Sequence, residues 1–112
     1  DRQPWLEALR KLIADVIASD QRGVLACSAL KESYRDVLRP DDASPDDVRF
    51  VYLDVPQAVL AERLRTRHGH FAPPELLESQ LATLEKPRDA LWVDGTCSPG
   101  DIVQIVRSRL GV

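Results

Sequence analysis

Arg49-Phe50-Val51-Tyr52-Leu53 reads as a strand that leaves a solvated loop and runs on toward a helix, and the chain on either side repeats this alternation. The loop before it, Pro40-Asp41-Asp42-Ala43-Ser44-Pro45-Asp46-Asp47, holds two prolines and four aspartates, the composition of a turn-rich connection. After it, Val59, Leu60 and Leu64 mark a helix over about 56–67, which Gly69 ends. Upstream, Val24-Leu25-Ala26-Cys27 is a short apolar run between Gly23 and Ser28 and is predicted as a buried strand. A short helix over about 29–38 follows it, closed by Pro40. Downstream, Leu91-Trp92-Val93 predicts a third strand.

Three further helices complete the pattern. Trp5, Leu9, Leu12, Ile13 and Val16 fall on one face of a first helix, with Pro4 in its first turn and Ser19–Gly23 ending it. Pro73-Pro74 opens a helix that carries Leu76, Leu77, Leu81 and Leu84. The last helix has Ser98 as its N-cap, Pro99 at its first position and Asp101 three residues after the cap. Ile102, Val103, Val106 and Leu110 form its expected buried stripe, and Gly111 its C-terminal stop. Strands alternating with helices predict an α/β domain with a parallel sheet. Three strands make a small sheet for that architecture, which needs helices on both faces.

At 112 residues the chain has room for one domain, expected to span residues 1–112. It is 44% hydrophobic but only 5% aromatic, so its core must be mostly aliphatic. A net charge of −3 disfavours nucleic acid as a partner. No apolar run approaches the roughly 18 residues needed to span a bilayer, so no membrane association is expected. Asp1-Arg2-Gln3-Pro4-Trp5 lacks an apolar signal segment. Cys27 and Cys97 make neither metal-ligand nor redox spacing. These features together predict a soluble protein of the reducing cytoplasm. The chain holds no Met and opens almost directly into a helix, so it is expected to be part of something longer.

The densest chemical signal is Glu62-Arg63-Leu64-Arg65-Thr66-Arg67-His68-Gly69-His70-Phe71. Arg63 and Arg67 are four apart on one helix face, where two guanidinium groups can clamp an anion. The competing reading is a solvated helix edge with Arg63 paired to Glu62 or a neighbour. His68 and His70 lack a third ligand at useful spacing, so no metal site is expected, and a substrate hydrogen bond suits them better. Lys31 and Arg35 follow a predicted strand at the edge where parallel sheets collect ligands, and they are again four apart. They read equally as exposed helix residues. Cys27 reads as a small buried hydrophobe. Gly95 and Gly100 have the glycine spacing of a phosphate loop, but Asp101 and Ile102 stand where Lys and Ser or Thr are required. A carboxylate there repels phosphate, and no other segment matches a Walker A loop.

With these residues in view, the chain resembles the gluconokinase family of small P-loop kinases. The resemblance rests on Asp1-Arg2-Gln3-Pro4-Trp5-Leu6, on Leu25-Ala26-Cys27-Ser28-Ala29-Leu30-Lys31 with Tyr34-Arg35-Asp36, and on Gly69-His70-Phe71 with Pro73-Pro74. It continues through Leu77-Glu78-Ser79-Gln80-Leu81-Ala82-Thr83-Leu84-Glu85. It implies a three-layer α/β/α fold like that of adenylate and shikimate kinases, with a parallel sheet, here N-terminally incomplete. It implies transfer of the γ-phosphoryl group of ATP to the 6-hydroxyl of D-gluconate, with Mg²⁺. By the same resemblance Arg63 and Arg67 match lid arginines that neutralise ATP phosphates, in a lid over about 63–84. Arg2, Lys31, Arg35, His70 and Gln80 match positions near gluconate. Ser98 and Pro99 match the loop beside the adenine. A homodimer is the assembly the resemblance allows.

The chain departs from the family in having no G-x-x-x-x-G-K-[ST] loop, with its strand and helix, and the family's probable acid–base group lies in that same portion. The strands at 24–27 and 49–53 are expected to flank the missing strand and to lack their common neighbour. The alternative to a kinase segment is a non-catalytic relative that binds a sugar acid or a protein partner.

Overall fold

The computed structural model describes residues 3–66 and 74–112. The chain divides into two compact units, Asp1–Arg49 with Thr83–Lys86, and Phe50–Ala82 with Pro87–Val112.

In the first unit, helix α1 spans Gln3–Ala18 and helix α2 spans Glu32–Leu38, and the two pack together. Leu6 and Leu38 are each only 1% exposed and form the core of this unit. The buried face of α1 differs from the expected one. Leu6, Leu9, Ile13, Val16 and Ile17 turn inward, whereas Trp5 and Leu12 are exposed. Leu9, Ile13 and Val16 stay inward as expected, and Leu6 and Ile17 take the places of Trp5 and Leu12, so the apolar stripe is shifted by only part of the roughly 100° step between neighbouring helix residues. Arg10 fastens α1 to the end of α2, donating to the Val37 carbonyl at 3.4 Å and pairing with Asp41 at 3.1 Å. After Ala18 the Ser19 hydroxyl donates to the carbonyls of Asp15 and Val16, and Asp20 turns into the left-handed region at φ 55°, which ends the helix as expected.

Residues 21–30 form neither helix nor strand, which corrects the predicted strand at Val24–Cys27. Val24 is fully exposed, and Leu25 and Cys27 are exposed as well. An apolar run becomes a strand only where another strand satisfies its backbone N–H and C=O groups. None of the described strands pairs with this run.

In the second unit, strands β1 (Val51–Asp54) and β2 (Leu91–Asp94) pair in parallel, with Val51 opposite Leu91 and Asp54 opposite Asp94. Tyr52 and Trp92 face one another across the pair, ring centroids 4.7 Å apart and tilted by 57°. Val93 is buried. Helices α3 (Gln57–Thr66) and α4 (Pro74–Thr83) separate the strands in sequence, and α5 (Pro99–Leu110) packs against β2. The expected capping of α5 is present. Ser98 Oγ accepts from the Asp101 N–H at 3.2 Å, and Gly111 closes the helix at φ 71°, its N–H donating to the Arg107 carbonyl. Val103 is exposed rather than buried, and Ile105 joins Ile102, Val106 and Leu110 on the half-buried stripe. Among the described residues no helix is long and apolar enough to cross a membrane.

Candidate functional site

The second unit presents the carboxyl ends of its parallel strands, the edge where ligands gather in open α/β sheets. A depression of about 380 Å³ lies there, lined by Asp54, Pro56, Trp92, Val93, Asp94 and Thr96. The loop after β2 is fixed at three points. The Gly95 N–H donates to the Asp54 carbonyl at 3.0 Å. Asp94 Oδ1 accepts from the Thr96 hydroxyl at 2.6 Å and from the Thr96 N–H at 2.9 Å. These two bonds, the hydroxyl first, hold the Asp94 carboxyl below its ordinary value. Gly95 is buried, and a Cβ on it would overlap Val55 Cγ2 and crowd Leu53 Cβ, so the third point is steric.

Arg63, in the last turn of α3, donates from Nη2 to the Gly95 carbonyl at 2.9 Å. Sequence spacing offered Glu62 as its partner, but Glu62 pairs with Arg65 instead. Arg63 is thereby joined to the loop that leads into Ser98 and Pro99, two more of the predicted nucleotide-site residues. Gln80 is exposed on α4. Arg2, Arg67 and His70 lie outside the described residues, as do residues 68–73 of the expected lid.

In the first unit, Lys31 stands at the N-cap position of α2 in extended conformation, and its ammonium lies 5.9 Å from the centre of the Tyr34 ring. Arg35 is 9% exposed, so it is not the exposed helix residue that spacing allowed. Its two terminal nitrogens donate to the carbonyls of Ala29 and Glu85, each at 2.7 Å. Glu85 was legible only as part of a motif. Its bonds run to residues 50 or more positions away, beyond any local pattern. Cys27 is exposed rather than buried, but its sulfur is crowded enough that partial desolvation pushes the thiol above its ordinary value, offset in part by the Ala29 N–H. A raised thiol is a poor nucleophile at neutral pH. Among the described residues no group of three or more His, Cys, Asp or Glu side chains is arranged to hold a metal ion.

No family model matches the chain. It is 47% identical to the gluconokinase of Gluconobacter oxydans over 89 residues, 80% of this chain and 48% of that protein. Two solved structures superpose on it. One is a gluconokinase from Sinorhizobium meliloti 1021, with a TM-score of 0.80, 42% identity and coverage of 99% of this chain and 62% of that one. The other is a sugar kinase from Janibacter sp. HTCC2649, with a TM-score of 0.84, 37% identity and coverage of 100% and 65%. The chain is homologous to gluconokinases. It spans about half the length of the curated gluconokinases it matches. Its fold class is α/β, that of the sugar kinases, with β1 and β2 paired in parallel.

Proposed function

We propose that this chain is part of an ATP-dependent gluconokinase, converting ATP and D-gluconate to ADP and 6-phospho-D-gluconate. The observation that carries the reading is the match to the Sinorhizobium gluconokinase, 42% identical over 99% of the chain. In the reaction the 6-hydroxyl oxygen bonds to the γ-phosphorus, the bond from that phosphorus to the β–γ bridging oxygen breaks, and ADP leaves. The hydroxyl proton passes to a base as the new oxygen–phosphorus bond forms.

Each unit contributes a cationic feature suited to one reactant. In the second unit, Arg63 and Arg67 neutralise phosphate charge as it shifts toward the leaving ADP, and Ser98 and Pro99 border the adenine. The Arg63–Gly95 bond supports this role by seating the guanidinium beside the Ser98 loop. In the first unit, Lys31 meets the carboxylate of gluconate, an anion that a compact ammonium recognises well. Arg35 spends two N–H groups on carbonyls and acts on gluconate with those that remain. Arg2, His70 and Gln80 complete the sugar-acid contacts. Mg²⁺ and the cradle for the triphosphate belong to a G-x-x-x-x-G-K-[ST] loop, a sequence these 112 residues do not contain. The free thiols Cys27 and Cys97 suit the reducing cytoplasm, and a homodimer is the assembly to test by light scattering.

The test is gluconate-dependent ADP release by the full-length protein that contains this segment. Turnover with gluconate supports the reading. Gluconate binding with no ADP release supports the alternative, a non-catalytic relative that retains the sugar-acid site.

A further inference from the structure

The peptide groups on both sides of Lys31 are held by a single residue far along the chain. The Glu85 N–H donates to the Leu30 carbonyl at 2.7 Å. The Glu32 N–H donates to Glu85 Oε1 at 2.9 Å, across 53 positions. The Glu85 carbonyl accepts Arg35 Nη2 at 2.7 Å, and Arg35 Nη1 reaches the Ala29 carbonyl at 2.7 Å. Ala29, Leu30 and Glu32 are thus all bonded to Glu85 or to the guanidinium that Glu85 holds.

The need for such a fastening is visible in α2. Its N-cap residue is Lys31, which has no side-chain acceptor and makes no capping bond. The first N–H groups of a helix need an acceptor, which Ser, Thr, Asp or Asn at the N-cap usually provides. Here Glu85 provides it from a distance, leaving the cap position to a cation. A lysine side chain is long and loses much rotamer freedom when fixed, so an ammonium that must meet an anion benefits from a fixed root.

We propose that Glu85 is a positioning residue for Lys31, clamping the Leu30 carbonyl and the Glu32 N–H so that the Lys31 ammonium is presented to the sugar acid from a rigid backbone. The proposal rests on the reading of Lys31 as the cation that meets the gluconate carboxylate. Glu85 itself touches no substrate. Its side-chain role needs an oxygen acceptor and not a charge.

The experiment compares Glu85→Ala, Glu85→Gln and Lys31→Ala in the full-length enzyme, by amide hydrogen exchange and by separate KM values for gluconate and ATP. Glu85→Ala is expected to speed exchange at the Glu32 amide about tenfold, as loss of a helix cap does, and to raise the gluconate KM by about the same factor. The ATP KM stays where it was. Glu85→Gln keeps an oxygen for the Glu32 N–H and restores both values. Unchanged exchange at Glu32 in Glu85→Ala overturns the proposal, as does a Gln variant no better than the Ala variant. The Lys31→Ala arm separates two failures. If Lys31→Ala raises the gluconate KM and Glu85→Ala does not, the role of Glu85 is refuted. If neither raises it, the reading of Lys31 has failed and the proposal falls with it.

Discussion

The guanidinium of Arg63 donates to the carbonyl oxygen of Gly95 at 2.9 Å, binding the last turn of α3 to the first residue after β2. Thirty-two positions separate the two residues, and the bond closes the strand–helix path between them. A charged donor to a carbonyl contributes more than a neutral one, about 1.5–3 kcal/mol when formed away from bulk water. This bond is only part-buried, so the lower end of that range applies.

Removing the donor should uncouple the loop from α3. Arg63→Ala in the full-length enzyme is expected to raise the KM for ATP about tenfold and to leave the KM for gluconate unchanged. Arg67→Ala should instead lower turnover far more than it changes gluconate affinity, as expected of a group that acts on transferring charge. Steady-state kinetics with each substrate varied in turn checks both, and equal effects on the two KM values in Arg63→Ala would contradict the assignment.

Gly95 is expected to tolerate no side chain. Its Cβ would overlap Val55 Cγ2, so Gly95→Ala should destabilise by about 1–3 kcal/mol through overpacking. Because the clash is with a side chain, pairing it with Val55→Ala should recover part of the loss. Urea denaturation of the single and double variants measures this, and additive losses would show that the clash is elsewhere.

How much of this was legible in the sequence depended on distance along the chain. The α5 cap was readable because Ser98, Pro99 and Asp101 are neighbours and their bond is local. The helix opening at Pro74 and the strand at Leu91 were readable from punctuation and apolar runs. Val24–Cys27 misled because an apolar run looks the same whether or not a partner strand is present, and here none of the described strands pairs with it. On α1, Leu9, Ile13 and Val16 were legible, but Trp5 and Leu12 stood in for Leu6 and Ile17 because all four are apolar, and only packing against α2 selects Leu6. In the candidate site the cations were visible as residues, but their partners were not. Nothing near Arg63 names Gly95, and nothing near Lys31 names Glu85.

Ser98 should be replaceable only by another capping residue. Ser98→Ala is expected to cost about 1 kcal/mol, and Ser98→Asp should keep most of the stability, since its carboxylate can accept the same Asp101 N–H. Thermal melts of the two variants check this. Equal losses would mean that the cap bond contributes little and that Ser98 matters, if at all, for the loop.

The Asp94–Thr96 turn predicts a pH dependence with a definite sign. The Thr96 hydroxyl and then its N–H hold the Asp94 carboxyl below its ordinary value of 3.8. A group whose folded value is lowered adds stability above its unfolded value and loses it as pH falls through the folded one. Thr96→Val removes the larger cause, so Asp94 should titrate at higher pH in the variant. The variant should be less stable than the parent at neutral pH, and the difference should shrink as the pH falls below 3.8. An NMR titration of the Asp94 carboxyl reads the first effect directly, and an unmoved titration in Thr96→Val would contradict it.

The most direct test of the functional account is ADP release as a function of gluconate concentration, measured on the full-length protein and on its Lys31→Ala variant. The account predicts saturable, gluconate-dependent turnover. It also predicts that Lys31→Ala lowers kcat/KM for gluconate by about tenfold to a hundredfold, the worth of one charge-assisted bond, while the KM for ATP holds. ADP release that does not depend on gluconate, or a Lys31→Ala variant indistinguishable from the parent, would contradict it.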